Sequence, residues 1–283
     1  MQASGESALI TFLQQSQQRI QAHFQNLLSK SPEDSLHNGR VALRRLVVIL
    51  EELKVPGSKK ALKQAKGVLK RSNKLRDSQV FLEWLKNSTI AANDAGLGAL
   101  IKSCKRRLSY GDRDFNRWQR RHVPKLLHEL RSLTERVVDL GSFTKVTIAK
   151  LAPKKLQLLR RSLQKIEGPE SAQQLHQARL AAKRLRYTCE LYSLAESTEA
   201  RKLQTVLGRL HDVVVMRALL SSAIYRIAQG NSPVEIQWSL QRTAAPQVVL
   251  TFTNFGDFPT CRKLLLRLAA QERKFFMQLK QLL

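Results

Sequence analysis

Two stretches of this sequence carry the same chemistry at the same spacing. Leu36-His37-Asn38-Gly39-Arg40-Val41-Ala42-Leu43-Arg44-Arg45-Leu46 is matched by Leu175-His176-Gln177-Ala178-Arg179-Leu180-Ala181-Ala182-Lys183-Arg184-Leu185, an offset of 139 residues (176 − 37). In each, an imidazole is followed by a guanidinium at +3 and a basic pair at +7 and +8. Guanidinium groups grip phosphate oxygens two at a time, ammonium groups act as flexible point charges, and histidine adds a charge that responds to pH near neutrality. A signature repeated this closely describes a chain built twice over, with an anion-binding set in each half.

The spacing becomes geometry if both stretches are helical. At about 100° per residue, with His37 at zero, Arg40 lies near −60° and Arg44 near −20°, while Arg45 falls away at about 80°. Leu43, Leu46, Leu50 and Leu53 gather on the opposite side, which is the core side of an amphipathic helix. The second copy repeats the phase, with His176, Arg179 and Lys183 on its stripe, Tyr187 joining it and Arg186 at its edge. A histidine among cations is disfavoured as imidazolium until an anion arrives, so binding and protonation should be coupled.

The next helix adds Lys63, Lys66, Lys70, Lys74 and Asp77 at spacings of 3, 4, 4 and 3, one continuous face. Like charges so placed repel by a few tenths of a kcal/mol per adjacent pair, so the face favours an anionic neighbour. Its counterpart is thinner, with Lys202 and Arg209 aligned and Asp212 nearby. Leu75-Arg76-Asp77 matches Leu210-His211-Asp212 at an offset of 135, so two consecutive helices repeat in order. The two aspartates read as structural groups that orient a cation or cap a helix. As catalytic acids they would need a partner carboxylate, and the basic faces offer none.

The elements that position these groups are helices. Periodicity predicts helices over 8–28, from 33 to about 54, over 59–86, over 98–108, and over 115–138, with an interruption at Tyr110-Gly111-Asp112 and a kink or break at Pro124. Asp139-Leu140-Gly141-Ser142 makes the best boundary between the halves, 1–142 and 143–283. The second half should hold helices over 153–166, 171–194, 198–229 and 259–283. The β-branched and aromatic run Val248-Val249-Leu250-Thr251-Phe252-Thr253 reads as an extended segment within 246–259. The fold class is all-α: two antiparallel helical bundles related by the repeat.

Composition sets the outer limits. With 283 residues and 43% hydrophobic content, the chain can bury a substantial core. Its 49 Lys+Arg against 22 Asp+Glu give a formal net charge of +27, self-repulsion that calls for a polyanionic partner. Cys104, Cys189 and Cys261 are too scattered for a zinc or redox motif and read as buried thiols in a reducing compartment. The six histidines form no zinc spacing, and no phosphate-cradling glycine loop is present. No cofactor is expected. Trp84, Trp118 and Trp238 read as core residues, and few aromatics interleave with the basic runs. The glutamine-rich start lacks the features of a signal peptide and no run is long enough to span a bilayer, so the expectation is cytoplasmic.

The doubled L-H-x-x-R-x-x-x-[RK]-R-L motif, each copy followed by a helix carrying L-x-D-x-x-V, resembles the CHAD domain, the conserved histidine α-helical domain. Lys183-Arg184-Leu185-Arg186-Tyr187 and Leu207-Gly208-Arg209-Leu210-His211-Asp212 are particularly similar to that family's second half. The resemblance is strongest over 30–86 and 171–222. It implies a single CHAD domain over 1–283, made of two pseudo-symmetric bundles with a basic central surface or pore that binds inorganic polyphosphate. The residues it implicates are His37, Arg40, Arg44, Arg45, His176, Arg179, Lys183, Arg184 and Arg186, completed by Lys63, Lys66, Lys70, Lys74, Lys202 and Arg209 of the succeeding helices. Some members carry a CYTH triphosphatase domain; its alternating Glu-x-Glu-x-Lys strand is absent from this sequence, so its hydrolysis is not expected here. The leading expectation is a polyphosphate-binding module that is not an enzyme, associated with polyphosphate granules or with regulation. RNA bound through its phosphates, and a phosphoryl-accepting His37 or His176, are the two rival readings.

Overall fold

The structure is a computed structural model that describes residues 5–28, 34–88, 95–137, 143–228 and 259–283. Among these residues there are eight α-helices and no strand: α1 (Gly5–Leu28), α2 (Asp34–Glu52), α3 (Lys59–Lys86), α4 (Ala95–Arg136), α5 (Phe143–Gln164), α6 (Ala172–Leu191), α7 (Glu196–Ala228) and α8 (Pro259–Gln281). The extended segment expected at 246–259 lies outside the described residues except for Pro259, which opens α8.

Each helix follows from its apolar spacing. Leu9, Leu13, Ile20 and Phe24 of α1 are buried against Leu36, Leu43, Leu46 and Leu50 of α2 and Leu126, Leu130 and Leu133 of α4. On α5 to α8, Leu159, Leu163, Leu175, Ala182, Leu207, Leu210, Phe276 and Leu279 form a second centre. A third centre belongs to both halves: Phe81, Leu85, Leu97 and Leu100 meet Val213, Met216, Leu220, Leu264 and Leu268. The 142/143 boundary therefore divides the repeat in sequence, while the packed interior crosses it. Cys104 and Cys189 are buried free thiols, and Trp84 and Trp118 pack partly buried against the cores.

The two motif helices end alike. Just after α2, Lys54 adopts φ 48° and the Val55 N–H donates to the Leu50 carbonyl; just after α6, Ser193 adopts φ 55° and the Leu194 N–H donates to the Cys189 carbonyl. Both are left-handed caps closed by a six-to-one hydrogen bond. They stand 139 residues apart (193 − 54), the offset of the histidines.

One expectation fails in α4. It is a single helix of 42 residues, uninterrupted at Tyr110–Asp112 and continuous through Pro124. Gly111 faces α3, where an added Cβ would lie 3.4 Å from Leu75, an ordinary packing distance, so the position is plain helix interior and not a break. Pro124 is exposed, and so is Arg120, whose carbonyl loses its donor; water can satisfy it. Pro153 in α5 has the same resolution with exposed Ala149, so that helix begins at Phe143 rather than at the proline.

Candidate functional site: a cationic cluster between the motif helices

Helices α2 and α6 pack against each other, with α3 beside the first and α7 beside the second. That arrangement gathers groups from all four helices. Lys183 lies within electrostatic reach of Arg44, Arg179, Arg40 and Arg184. Arg179 senses Asp212 and Arg44, and His37 senses Arg76, Arg44, Asp34 and Arg40. Asp212 in turn lies among Arg179, Arg44, Arg76 and Asp77. Arg44 is the group common to all of these neighbourhoods. Its Nε is buried without a hydrogen-bond partner, and so is His37 Nδ1.

The charges have visible consequences. Burial first, then Arg44, Arg179, Arg40 and Arg184, push the Lys183 ammonium down to about 7. Burial and then the Arg76 and Arg44 guanidiniums lower the His37 imidazole, with Asp34 working against them. Neighbouring charge thus acts on His37 in the expected direction, with burial as the larger cause. Asp212 is exposed at its surface, yet loss of surrounding water still raises its carboxyl against the pull of Arg179, Arg44 and Arg76. A group that solvent touches but protein surrounds stands in a concave place. The lowered Lys183 and His37 show that cation–cation repulsion and burial outweigh the carboxylates in reach. An anion placed here would relieve both.

The two Arg residues at +3 have different surroundings. Arg40 is 6% exposed, and its guanidinium donates to the Leu69 carbonyl (2.9 Å), Ser72 Oγ and Asn73 Oδ1 (2.7 Å) on α3. Arg179 makes no hydrogen bond among the described residues. At the 135-residue offset, Ser72 and Asn73 correspond to Leu207 and Gly208, so the matching side-chain acceptors do not exist. A Cβ at Gly208 would meet nothing within 4 Å, leaving open space where α3 offers an amide. Arg40, expected on an open stripe, is therefore a clamp between α2 and α3.

The remaining sequence-predicted residues divide by place. Arg45 and Arg186, with Arg201, surround Glu190 at 3.7, 2.8 and 2.7 Å. Burial would raise the Glu190 carboxyl, but these guanidiniums hold it below its usual range. Arg184, which also reaches Lys183, lies 3.7 Å from Glu52, and Lys66 pairs with Glu51 at 2.6 Å. Lys63, Lys70, Lys74 and Lys202 are exposed, and Arg209 lies 5.8 Å over the Phe275 ring. His176 faces His211, ring centroids 5.4 Å apart.

Sequence reasoning missed Arg76, which adjoins His37 and Asp212. The available signal was its position in the second repeat, where it matches His211. It also gave each aspartate no acidic neighbour, whereas Asp77 is close enough to Asp212 to raise its carboxyl. Among the described residues no group of three or more His, Cys, Asp or Glu could hold a metal ion, and no helix is long and apolar enough to cross a membrane.

Fold and cluster together define a helical protein whose repeated motif helices meet at a concave, cation-rich site. Residues 11–221 match the family model described as the CHAD domain, and the chain belongs to that family. The fold is that of the CHAD domain from the plant Ricinus communis, whose crystal structure superposes with a TM-score of 0.73 at 19% identity, covering 99% of this chain and 91% of that one. A comparison with curated proteins gives no match.

Proposed function

We propose that this protein binds inorganic polyphosphate at the α2–α6 cluster, in the cytoplasm, as a targeting or regulatory module of polyphosphate granules and not as a catalyst. Membership of the CHAD family supports a phosphate-related module; the polymer is the finer reading. The observation that carries it is the convergence of Arg44, Arg179, Lys183, His37 and Arg76 from opposite repeats, with Lys183 pushed down to about 7 by burial first and then by the cations around it. The two sets come from packed helices, α2 with α3 and α6 with α7, so in this reading a flexible polyanion is met by both halves of the sequence repeat. A polymer with about one charge per unit satisfies several cations at once, and counterion release makes its affinity fall steeply with salt.

The test is a titration with polyphosphates of defined length. Arg179→Ala together with Lys183→Ala should weaken binding at least about tenfold, two charge-assisted contacts being lost. Long-chain polyphosphate should withstand competition by tRNA at equal phosphate concentration. Binding that survives the double substitution unchanged, or yields to tRNA, removes the reading.

A further inference from the structure

The cation cluster leaves a second basic surface unexplained. On α4, Arg106, Tyr110, Arg113, Arg117, Arg121 and Arg131 all are exposed, Tyr110 at 67%. Taking Tyr110 as zero at about 100° per residue, they fall between about −60° and 20°, while buried Phe115, Gln119, Leu126 and Leu130 fall near 140° to 200°. They form one straight stripe on the side away from the core, roughly 38 Å long at 1.5 Å per residue. None of the five arginines has a carboxylate partner among the described residues. The nearby acid Asp114 is held by Arg71 of α3.

The stripe differs in kind from its neighbour. The exposed cations of α3 are lysines except for Arg71, which Asp114 holds, while those of the α4 stripe are all arginines. A bare phosphate chain offers arginine only its oxygens. Arginine's planar fork adds bidentate phosphate contact and a face that stacks on bases, which only a nucleic acid provides. The Arg113 guanidinium already lies 5.0 Å over the exposed Tyr110 ring, so a planar platform is formed before any ligand arrives. We propose that the outer face of α4 is a nucleic-acid-binding surface, separate from the α2–α6 cluster, which holds the phosphodiester backbone along the arginine stripe and stacks an unpaired base at Tyr110 and Arg113.

Wild-type protein and a variant with Arg106→Gln, Arg117→Gln, Arg121→Gln and Arg131→Gln are titrated with tRNA over a range of salt. These side chains are exposed, so the variant should keep the wild-type melting profile. Its tRNA affinity should fall at least about tenfold, with the slope of log K against log salt flattening by about three. Its affinity for long-chain polyphosphate should stay within about twofold of wild type. Arg179→Ala with Lys183→Ala should do the reverse. Tyr110→Ala should weaken an unpaired oligonucleotide by roughly tenfold without changing the salt slope. The proposal is overturned if wild type does not bind tRNA, if the four-arginine variant binds it as wild type does, or if the Arg179/Lys183 variant loses it. An unchanged Tyr110→Ala overturns the choice of nucleic acid over a simple phosphate chain. None of the overturning results depends on whether polyphosphate binds.

Discussion

The two motif helices put the same residue types in the same order, yet they do different work. In the first half Arg40 is buried and spends its donors on α3. In the second, Arg179 sits beside Leu207 and Gly208 in place of Ser72 and Asn73, and keeps its donors. The histidines diverge too: His37 faces Arg76, while His176 faces another histidine, His211. A duplicated motif can thus give one copy a structural duty and leave the other for a ligand. The partner helix, through the two positions that face the arginine, decides which.

The strongest way to break that comparison is Arg40→Ala. Losing a buried guanidinium that serves three acceptors should cost about 3 kcal/mol of stability, measured by urea unfolding. The folded fraction should still bind polyphosphate within about threefold of wild type, because the clamp is not the ligand contact. Arg179→Ala should give the opposite profile, with stability changed by under about 1 kcal/mol and affinity reduced about tenfold. If the two variants behave alike, the division between the halves is wrong.

That division also marks how far the sequence could be read. The repeat, the all-helical class and most helix bounds follow from apolar spacing and the doubled motif, down to caps at the same 139-residue offset. The role of Arg40 does not. Helical phase recognises one core direction, but α2 has neighbours on three sides, α1, α3 and α6, so a residue opposite the leucines can still be buried. The unbroken α4 was hidden for a similar reason, since Gly111 and Pro124 are breakers only until the surroundings of each are known. Arg76 escaped because it precedes a conspicuous aspartate and its counterpart in the second repeat is a histidine, not an arginine or lysine.

The free half should report on pH. Lys183 falls to about 7 in the folded protein from about 10.4 in an unfolded chain, so the unfolded state binds more protons across that window. Stability should therefore rise as pH is raised from 7 toward 10, and Lys183→Met should flatten this rise in urea unfolding. Polyphosphate reverses the bias by favouring the ammonium, so affinity should fall as pH rises above 7. Binding at pH ~8 should take up about one proton per chain, read by calorimetry in buffers of different ionisation enthalpy. Zero uptake would mean that the polymer does not approach Lys183.

A gentler change tests whether the halves can be made alike. Gly208→Asn supplies α7 with the amide that holds Arg40 on α3, in space that is open. Asparagine in place of glycine inside a helix should add a few tenths of a kcal/mol of stability. Once Arg179 has an acceptor, its affinity contribution should drop, weakening polyphosphate binding about threefold. A stabilised variant with undiminished binding would show that Arg179 does not need its freedom.

The smallest expected effect concerns Asp212. Its position among Arg179, Arg44 and Arg76 suits a carboxylate that orients a cation, but among the described residues it accepts no hydrogen bond from any of them. Its influence is then that of a charge, and Asp77 adds a second of the same sign. A carboxylate in a concave cationic site tempers repulsion while the site is empty and opposes the polyanion when it arrives. Asp212→Asn should accordingly raise polyphosphate affinity about two- to threefold at low salt, with the gain shrinking as salt screens it. It should not cost stability, because the raised Asp212 carboxyl shows that its lost hydration outweighs the pull of the three cations. A fall in affinity would instead show Asp212 steering Arg179 toward the ligand, and the free arginine of the second half would then be held after all.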